Sequence, residues 1–119
     1  MTIYPLRTRY SSKVVKLSNE SVFVGEITTI GRRTGLPRTV ELRLVYLDGS
    51  FYASSARVEN KHWCQNMLKN PAVEVKAGKD IFPCRARLVK DEAIRLRVLT
   101  VRDSPALTDR VVFELRPND

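Results

Sequence analysis

The sequence predicts a mostly β chain of the α+β class: six strands in an antiparallel sheet closed into a barrel, with two or three short helices between them. Three observations carry that expectation. Segments rich in β-branched residues, or alternating apolar with polar, recur along the chain and have the two-residue period of strands. Several are separated by short stretches with Gly, Asp or Asn, the chemistry of hairpin turns. A helical period appears clearly in only two places. Consecutive hairpins make antiparallel neighbours, and closure into a barrel removes the open edges of the sheet.

In chain order, the opening "MTIYPLRTRYSSKVVKLSNE" is weakly patterned and is compatible with a short strand, a short helix or an arm. "SVFVGEITTI" (Ser21–Ile30) is β-branched-rich and reads as a strand. "RTVELRLVYL" (Arg38–Leu47) alternates: Val40, Leu42, Leu44 and Tyr46 point one way, Glu41 and Arg43 the other, as in a half-buried strand. "DGS" (Asp48–Ser50) is a hairpin turn signal, and "FYASS" (Phe51–Ser55) makes the next strand. In "ENKHWCQNMLKN" the period changes, with Trp63, Met67 and Leu68 at i, i+4 and i+5. Asn60 is placed to cap this helix and Asn70-Pro71 to end it. "AVEVKAG" alternates again, with Gly78 opening a turn. "IFPCRARLV" sets Phe82, Cys84, Ala86 and Leu88 on one face and Arg85 and Arg87 on the other, and Pro83 calls for an edge position or a bulge. "DEAIRLRVLTV" reads as a helix, with acidic residues in its first turn and Ile94, Val98 and Val101 on one face. "RVVFELR" is the last strand. Tyr46 and Tyr52 are read as strand packing, and Arg85, Arg87, Arg95 and Arg97 as solvated charge.

At 119 residues the default is one domain, residues 1–119, and 43% hydrophobic content is enough for a real core. A domain this short buries only about two-thirds of its unfolded surface, so self-association, as a homodimer, is expected to help it. No apolar run reaches the ~18 residues of a membrane span, and the start shows no apolar signal core. Cys64 and Cys84 lack a CxxC spacing, so neither a disulfide framework nor a zinc site is read. Two reduced thiols in a cytoplasmic protein is the expectation. His62 is the one histidine, which excludes a histidine-rich metal site. It is either a surface residue of its helix or a contact to ligand.

Lys and Arg number 21 against 13 Asp and Glu, a net charge of +8, so an anionic partner is expected. Part of that charge sits in "ITTIGRRTGLPRTV", Ile27–Val40, a turn with two glycines and three arginines. Gly31 and Gly35 allow positive φ or close approach of a ligand. Backbone N–H groups in such a loop can converge on an anion. Arg32, Arg33 and Arg38 fit phosphate oxygens, and Thr28, Thr29 and Thr34 add hydroxyls. The spacing is neither a Walker A nor a G-x-G-x-x-G. On composition alone, the loop reads first as a solvated basic hairpin.

The segment "TTIGRRTGLPR" resembles the "TTxGRKSGxxR" motif of the deazaflavin (F420)-dependent nitroreductase and quinone reductase family. The likeness extends through "YLDGSFYASSA", through "KHWCQNMLKNPAVEV" (similar to that family's P-x-W-Y-x-N-L-x-x-N-P-x-V) and through "TDRVVFELRP". It covers roughly residues 21–117. It implies a split β-barrel related to the flavin-binding pyridoxamine-phosphate oxidases. It implies that Arg32, Arg33 and Arg38 hold the cofactor's phosphate and that Ser54, Ser55 and Ala56 line the deazaflavin. Trp63 and Asn66, on the helix that begins near Lys61, would then lie close to the cofactor. The residues themselves leave Trp63 open as core and Asn66 open as a partner for nearby backbone. Two features depart from the family: "ARVENKH" is shorter than its usual Gly-rich loop, with Arg57 where small residues are common, and "LTVRDSPAL" has no Tyr.

The resulting expectation is an oxidoreductase using F420, or alternatively FMN, that passes a hydride to a quinone, enone or nitro acceptor. The candidate cofactor-binding set is Thr29, Gly31, Arg32, Arg33, Thr34, Arg38, Ser54, Ser55, Ala56, Arg57, Lys61, Trp63 and Asn66, with no metal. The chemistry would belong to the cofactor, so no side-chain nucleophile is expected; Ser55 and backbone N–H groups would steady the ring. The polyglutamate tail of F420 would suit a positive groove. Two other readings stand beside it. One is a carrier that binds the cofactor without turnover. The other is a basic nucleic-acid-binding barrel, disfavoured because the aromatics do not interleave with basic residues along one strand face.

Overall fold

The computed structural model describes residue 17, residues 19–59 and residues 61–118. Residues 1–16 and the cap expected at Asn60 lie outside the described residues. The chain forms β1 (Ser21–Ile30), β2 (Pro37–Leu47), β3 (Ser50–Ser55), α1 (His62–Lys69), β4 (Ala72–Ala77), β5 (Asp80–Leu88), α2 (Glu92–Arg102) and β6 (Val111–Pro117). The sheet is a closed antiparallel barrel in the order β1-β2-β3-β6-β5-β4. The barrel expected from the hairpin pattern is therefore present, with two helices among the described residues.

Local chemistry explains most boundaries. Asp48 and Gly49 both have positive φ, 51° and 88°, and sit between the paired residues Leu47 and Ser50. That is the two-residue turn whose twist suits a hairpin. Lys61 stands at the α1 N-cap without a side-chain cap bond, and Asn70 closes the helix. Asp91 caps α2 by accepting from the N–H groups of Ala93 and Ile94 at 2.9 and 3.2 Å. Pro83 pairs with Glu74 on β4, while β6 pairs with β5 only from Cys84↔Pro117 onward. The missing donor of Pro83 thus falls where β6 runs out, a local edge inside a closed barrel. Its carbonyl accepts from the Asn118 N–H at 2.8 Å.

The core has two parts. Inside the barrel, Ile27, Leu44, Phe51, Val75, Phe113 and Leu115 are fully or almost fully buried, and Phe51 meets Phe23, Tyr46 and Phe82 at 5.3–6.0 Å between ring centres. Outside it, Val98 and Leu99 of α2 cover Val45, Leu47, Tyr52 and Val112. Each such side chain contributes about 1.5–3 kcal/mol on leaving water. This second cluster corrects the half-buried reading of β2: Leu44 to Leu47 are buried on both faces, because α2 lies over the face that alternation assigns to solvent. It also bears on the end of β5. Leu88, expected inside, ends the strand exposed, and Val89 is buried against α2 instead, its N–H donating to the Val112 carbonyl at 2.9 Å.

Candidate functional site

The β1–β2 loop and the start of α1 enclose a cleft of about 600 Å³, within the ordinary range for small-molecule sites. The loop is closed by its own groups. The Gly31 N–H donates to the Leu36 carbonyl and the Gly35 N–H to the Gly31 carbonyl, both at 2.8 Å. The Leu36 N–H donates to Thr34 Oγ1 at 3.1 Å. The two glycines serve different needs. Gly35 has φ +73°, whereas a Cβ on Gly31 would meet Thr34 Oγ1 at 2.9 Å and the Leu36 carbonyl oxygen at 3.0 Å.

Asn66 ties this loop to α1. It is 3% exposed and Thr29 is 0% exposed, so their polar atoms need partners inside the protein. Asn66 Nδ2 donates to Thr29 Oγ1 at 3.1 Å. Asn66 Oδ1 accepts from the Arg32 N–H at 3.2 Å and from Arg32 Nη1 at 2.9 Å. The Arg32 guanidinium is therefore held in place before any ligand arrives. Its Nη1 and Nη2 each lie 3.4 Å from His62 Nδ1. Four loop N–H groups are spent internally, which narrows the expected nest to those of Arg33 and Thr34, free among the described residues.

Of the residues singled out in the sequence, Thr29, Gly31, Arg32, Arg33, Thr34, Arg38, Trp63 and Asn66 line this cleft. Trp63 packs edge-on against Phe113 at 6.2 Å, belongs to the barrel core and borders the cleft. Ser54 and Ser55 do not line it. Ser54 Oγ accepts from Arg110 Nε at 3.0 Å. Ser55 Oγ donates to the Arg57 carbonyl at 2.6 Å and accepts from the Arg57 N–H at 3.3 Å. Ala56, Arg57 and Lys61 are exposed between β3 and α1. Pro37, Thr39, Val40 and His62 complete the lining and were not in the expected set. The hairpin register that sets Thr28 opposite Thr39 is the signal that finds Thr39, since both strand ends flank the loop.

The electrostatics are one-sided. Arg32, Arg33 and Arg38 have no carboxylate partner among the described residues, and the guanidinium groups of Arg33 and Arg38 have no hydrogen-bond partner there either. Five arginines elsewhere are paired: Arg97 with Glu20 and Asp48, Arg95 with Glu92, Arg87 with Glu114, and Arg43 and Arg102 with Asp103. Cys64 and Cys84 are unbridged and buried; burial pushes their thiols up to about 11 and about 12, so neither offers a thiolate near neutral pH.

The sequence model of the F420H(2)-dependent quinone reductase family matches residues 7–113. Among solved structures, an F420-H2 dependent reductase is similar at a TM-score of 0.64 and 24% identity, over 78% of this chain and 93% of that one. A chain described as a domain-swapped dimer is similar at 0.64 and 21%, over 91% and 95%. A FAD-binding protein from Mesorhizobium loti is similar at 0.66 and 21%, over 96% and 91%. At these identities the solved structures speak for the fold alone, and one barrel serves more than one cofactor.

Proposed function

The chain belongs to the F420H(2)-dependent quinone reductase family, and on that premise we propose that the cleft between the β1–β2 loop and α1 holds the phosphate-bearing part of F420. The observation that carries this reading is the convergence of Arg32, Arg33 and Arg38 on one cleft with no carboxylate beside them. A phosphate diester supplies the missing anion, and guanidinium forks match its oxygens. The Thr34 hydroxyl and the Arg33 and Thr34 N–H groups are further donors within reach of the loop. Bound F420 supplies the two-electron chemistry of its deazaflavin ring.

The chain's own residues bind and orient. Asn66 presets Arg32, so less ordering is required when the anion arrives. Trp63 offers the apolar wall against which a flat ring excludes water. Ser54 and Ser55 support from behind: Ser55 fixes the turn that carries Ala56 and Arg57 outward. Exposed Arg57 and Lys61 lie on the side we assign to the carboxylate tail. The acceptor we assign is a small electrophile of the quinone, enone or nitro class. The two unbridged thiols suit a reducing cytoplasm.

The test is fluorescence titration of F420 into Arg32→Ala and Arg38→Ala variants. Each is expected to lose about 1.5–3 kcal/mol of binding, the worth of a charge-assisted hydrogen bond. Unchanged affinity in both returns the loop to a solvated hairpin. We further propose a homodimer: Val24 and Ile81 are 63% and 57% exposed on the barrel wall, and apolar surface of this kind is what association covers. Light scattering at micromolar concentration should give about twice the 13.6 kDa of the single chain; a mass at 13.6 kDa contradicts it.

A further inference from the structure

His62 is exposed at the mouth of the cleft and faces the Arg32 guanidinium with Nδ1, 3.4 Å from both terminal nitrogens. A guanidinium has only donors. In that contact Nδ1 can only accept, which the tautomer carrying its proton on Nε2 allows. A second proton, at Nδ1, would set donor against donor and one positive charge against another. The rest of the surroundings add to that opposition. The loop contributes Arg33 and Arg38, Lys61 precedes His62 in the chain, and α1 contributes neutral Asn66. The strand residues at the cleft, Thr29, Pro37, Thr39 and Val40, are uncharged, and no carboxylate lines it.

An anion seated among the three arginines reverses this balance. It offsets their charge, draws the Arg32 donors toward itself and offers oxygen acceptors to a doubly protonated imidazole. Resting on the cleft assignment made above, we infer that anion binding in this cleft is coupled to uptake of a proton by His62. The sign follows from proton count. The complex binds more protons than the free protein, so affinity rises as pH falls, by at most about tenfold per pH unit for one proton. Sulfate does not change charge near neutral pH, so in its binding the proton belongs to the protein.

The experiment is calorimetry of F420 and, separately, of sulfate binding near neutral pH, in two buffers with different ionisation enthalpies. The buffer dependence of the heat gives the protons taken up. Wild type is expected to take up about 0.5–1 proton per site, with affinity falling as pH is raised. His62→Asn and His62→Gln, at an exposed position, are expected to take up none with sulfate and to bind sulfate with pH-independent affinity. Arg38→Ala separates the two levels of the argument. If it leaves F420 and sulfate binding intact, the cleft assignment fails and this inference with it. If it weakens binding, yet with sulfate the wild type takes up no proton or the His62 variants keep the uptake, the cleft stands and the proton coupling alone is overturned.

Discussion

Asn66→Asp exchanges one amide nitrogen for oxygen at the junction of loop and helix. Asn66→Ala removes the junction altogether, and the two variants separate folding from binding. In the alanine variant, Thr29, fully buried, loses its donor, and Arg32 loses both its backbone and its guanidinium acceptor. A neutral bond is worth about 1 kcal/mol and a charged one about 1.5–3 kcal/mol. The expected loss of stability is about 3 kcal/mol, a large share of the 5–15 kcal/mol typical of a domain. In the aspartate variant Oδ1 still accepts from Arg32, and the Thr29 hydroxyl can turn to donate to the second carboxylate oxygen. The fold is retained, but Arg32 now has a carboxylate of its own. Loss of its charge to the ligand should weaken F420 by about 1.5–3 kcal/mol, roughly ten- to a hundredfold. Urea denaturation reads the first effect and fluorescence titration the second. The reasoning is refuted if the aspartate variant is as unstable as the alanine variant, or if it binds F420 like wild type.

Two further outcomes are expected. Glu114 is 7% exposed; burial by itself would raise its carboxyl, but hydrogen bonds from Ser50 and Arg87 overcome that and hold it below the usual glutamate range. Its contribution is therefore fully present above the unfolded value of about 4.3 and is lost as pH falls through the lower folded value. Glu114→Gln should flatten the acid limb of the urea midpoint below about pH 4.3, and an unchanged limb would show that the pair contributes nothing. F420 should bind more tightly than FMN, through its carboxylate tail beside Arg57 and Lys61, with the gap narrowing as salt screens those exposed contacts. Equal or tighter FMN binding at low salt would sink that assignment.

What the sequence disclosed follows the range of the interactions involved. Short-range signals were readable: the bounds of β1, the Asp48-Gly49 turn and the Asn70-Pro71 stop all rest on neighbours in the chain. The loop was readable as a basic turn shaped by Gly31 and Gly35 for the same reason. The helix over Val45 and Leu47 was not, because alternation reports one buried face and is silent about an element that returns some fifty residues later to cover the other. Leu88 and Val89 exchange roles for that same cause. Asn66 was named as close to the cofactor or as a partner for nearby backbone, not as the clamp of the loop, since its partners Thr29 and Arg32 are 37 and 34 residues away. Ser54 and Ser55 were named for the cofactor; the Ser54 hydroxyl is engaged with Arg110, 56 residues away, which no local pattern announces, and that of Ser55 with the backbone of Arg57, two residues on.

The position of β6 has a consequence for how the barrel forms. It is the last strand in sequence, yet it lies between β3 and β5, pairing Ser55 with Val111 and Leu88 with Phe113. Until it docks, β3 and β5 each carry an unpaired edge, and the five earlier strands form an open ribbon rather than a closed wall. Closing it means joining residues more than fifty positions apart, and loop closure of that kind is entropically costly before any contact rewards it. Folding is thereby placed on the slow side for a small domain. The interval before β6 arrives is when two free edges are available to another copy of the chain. A strand that completes the native barrel from its own chain can complete a neighbour's by the same hydrogen bonds, so the order of the strands sets both the speed of folding and the route to strand exchange.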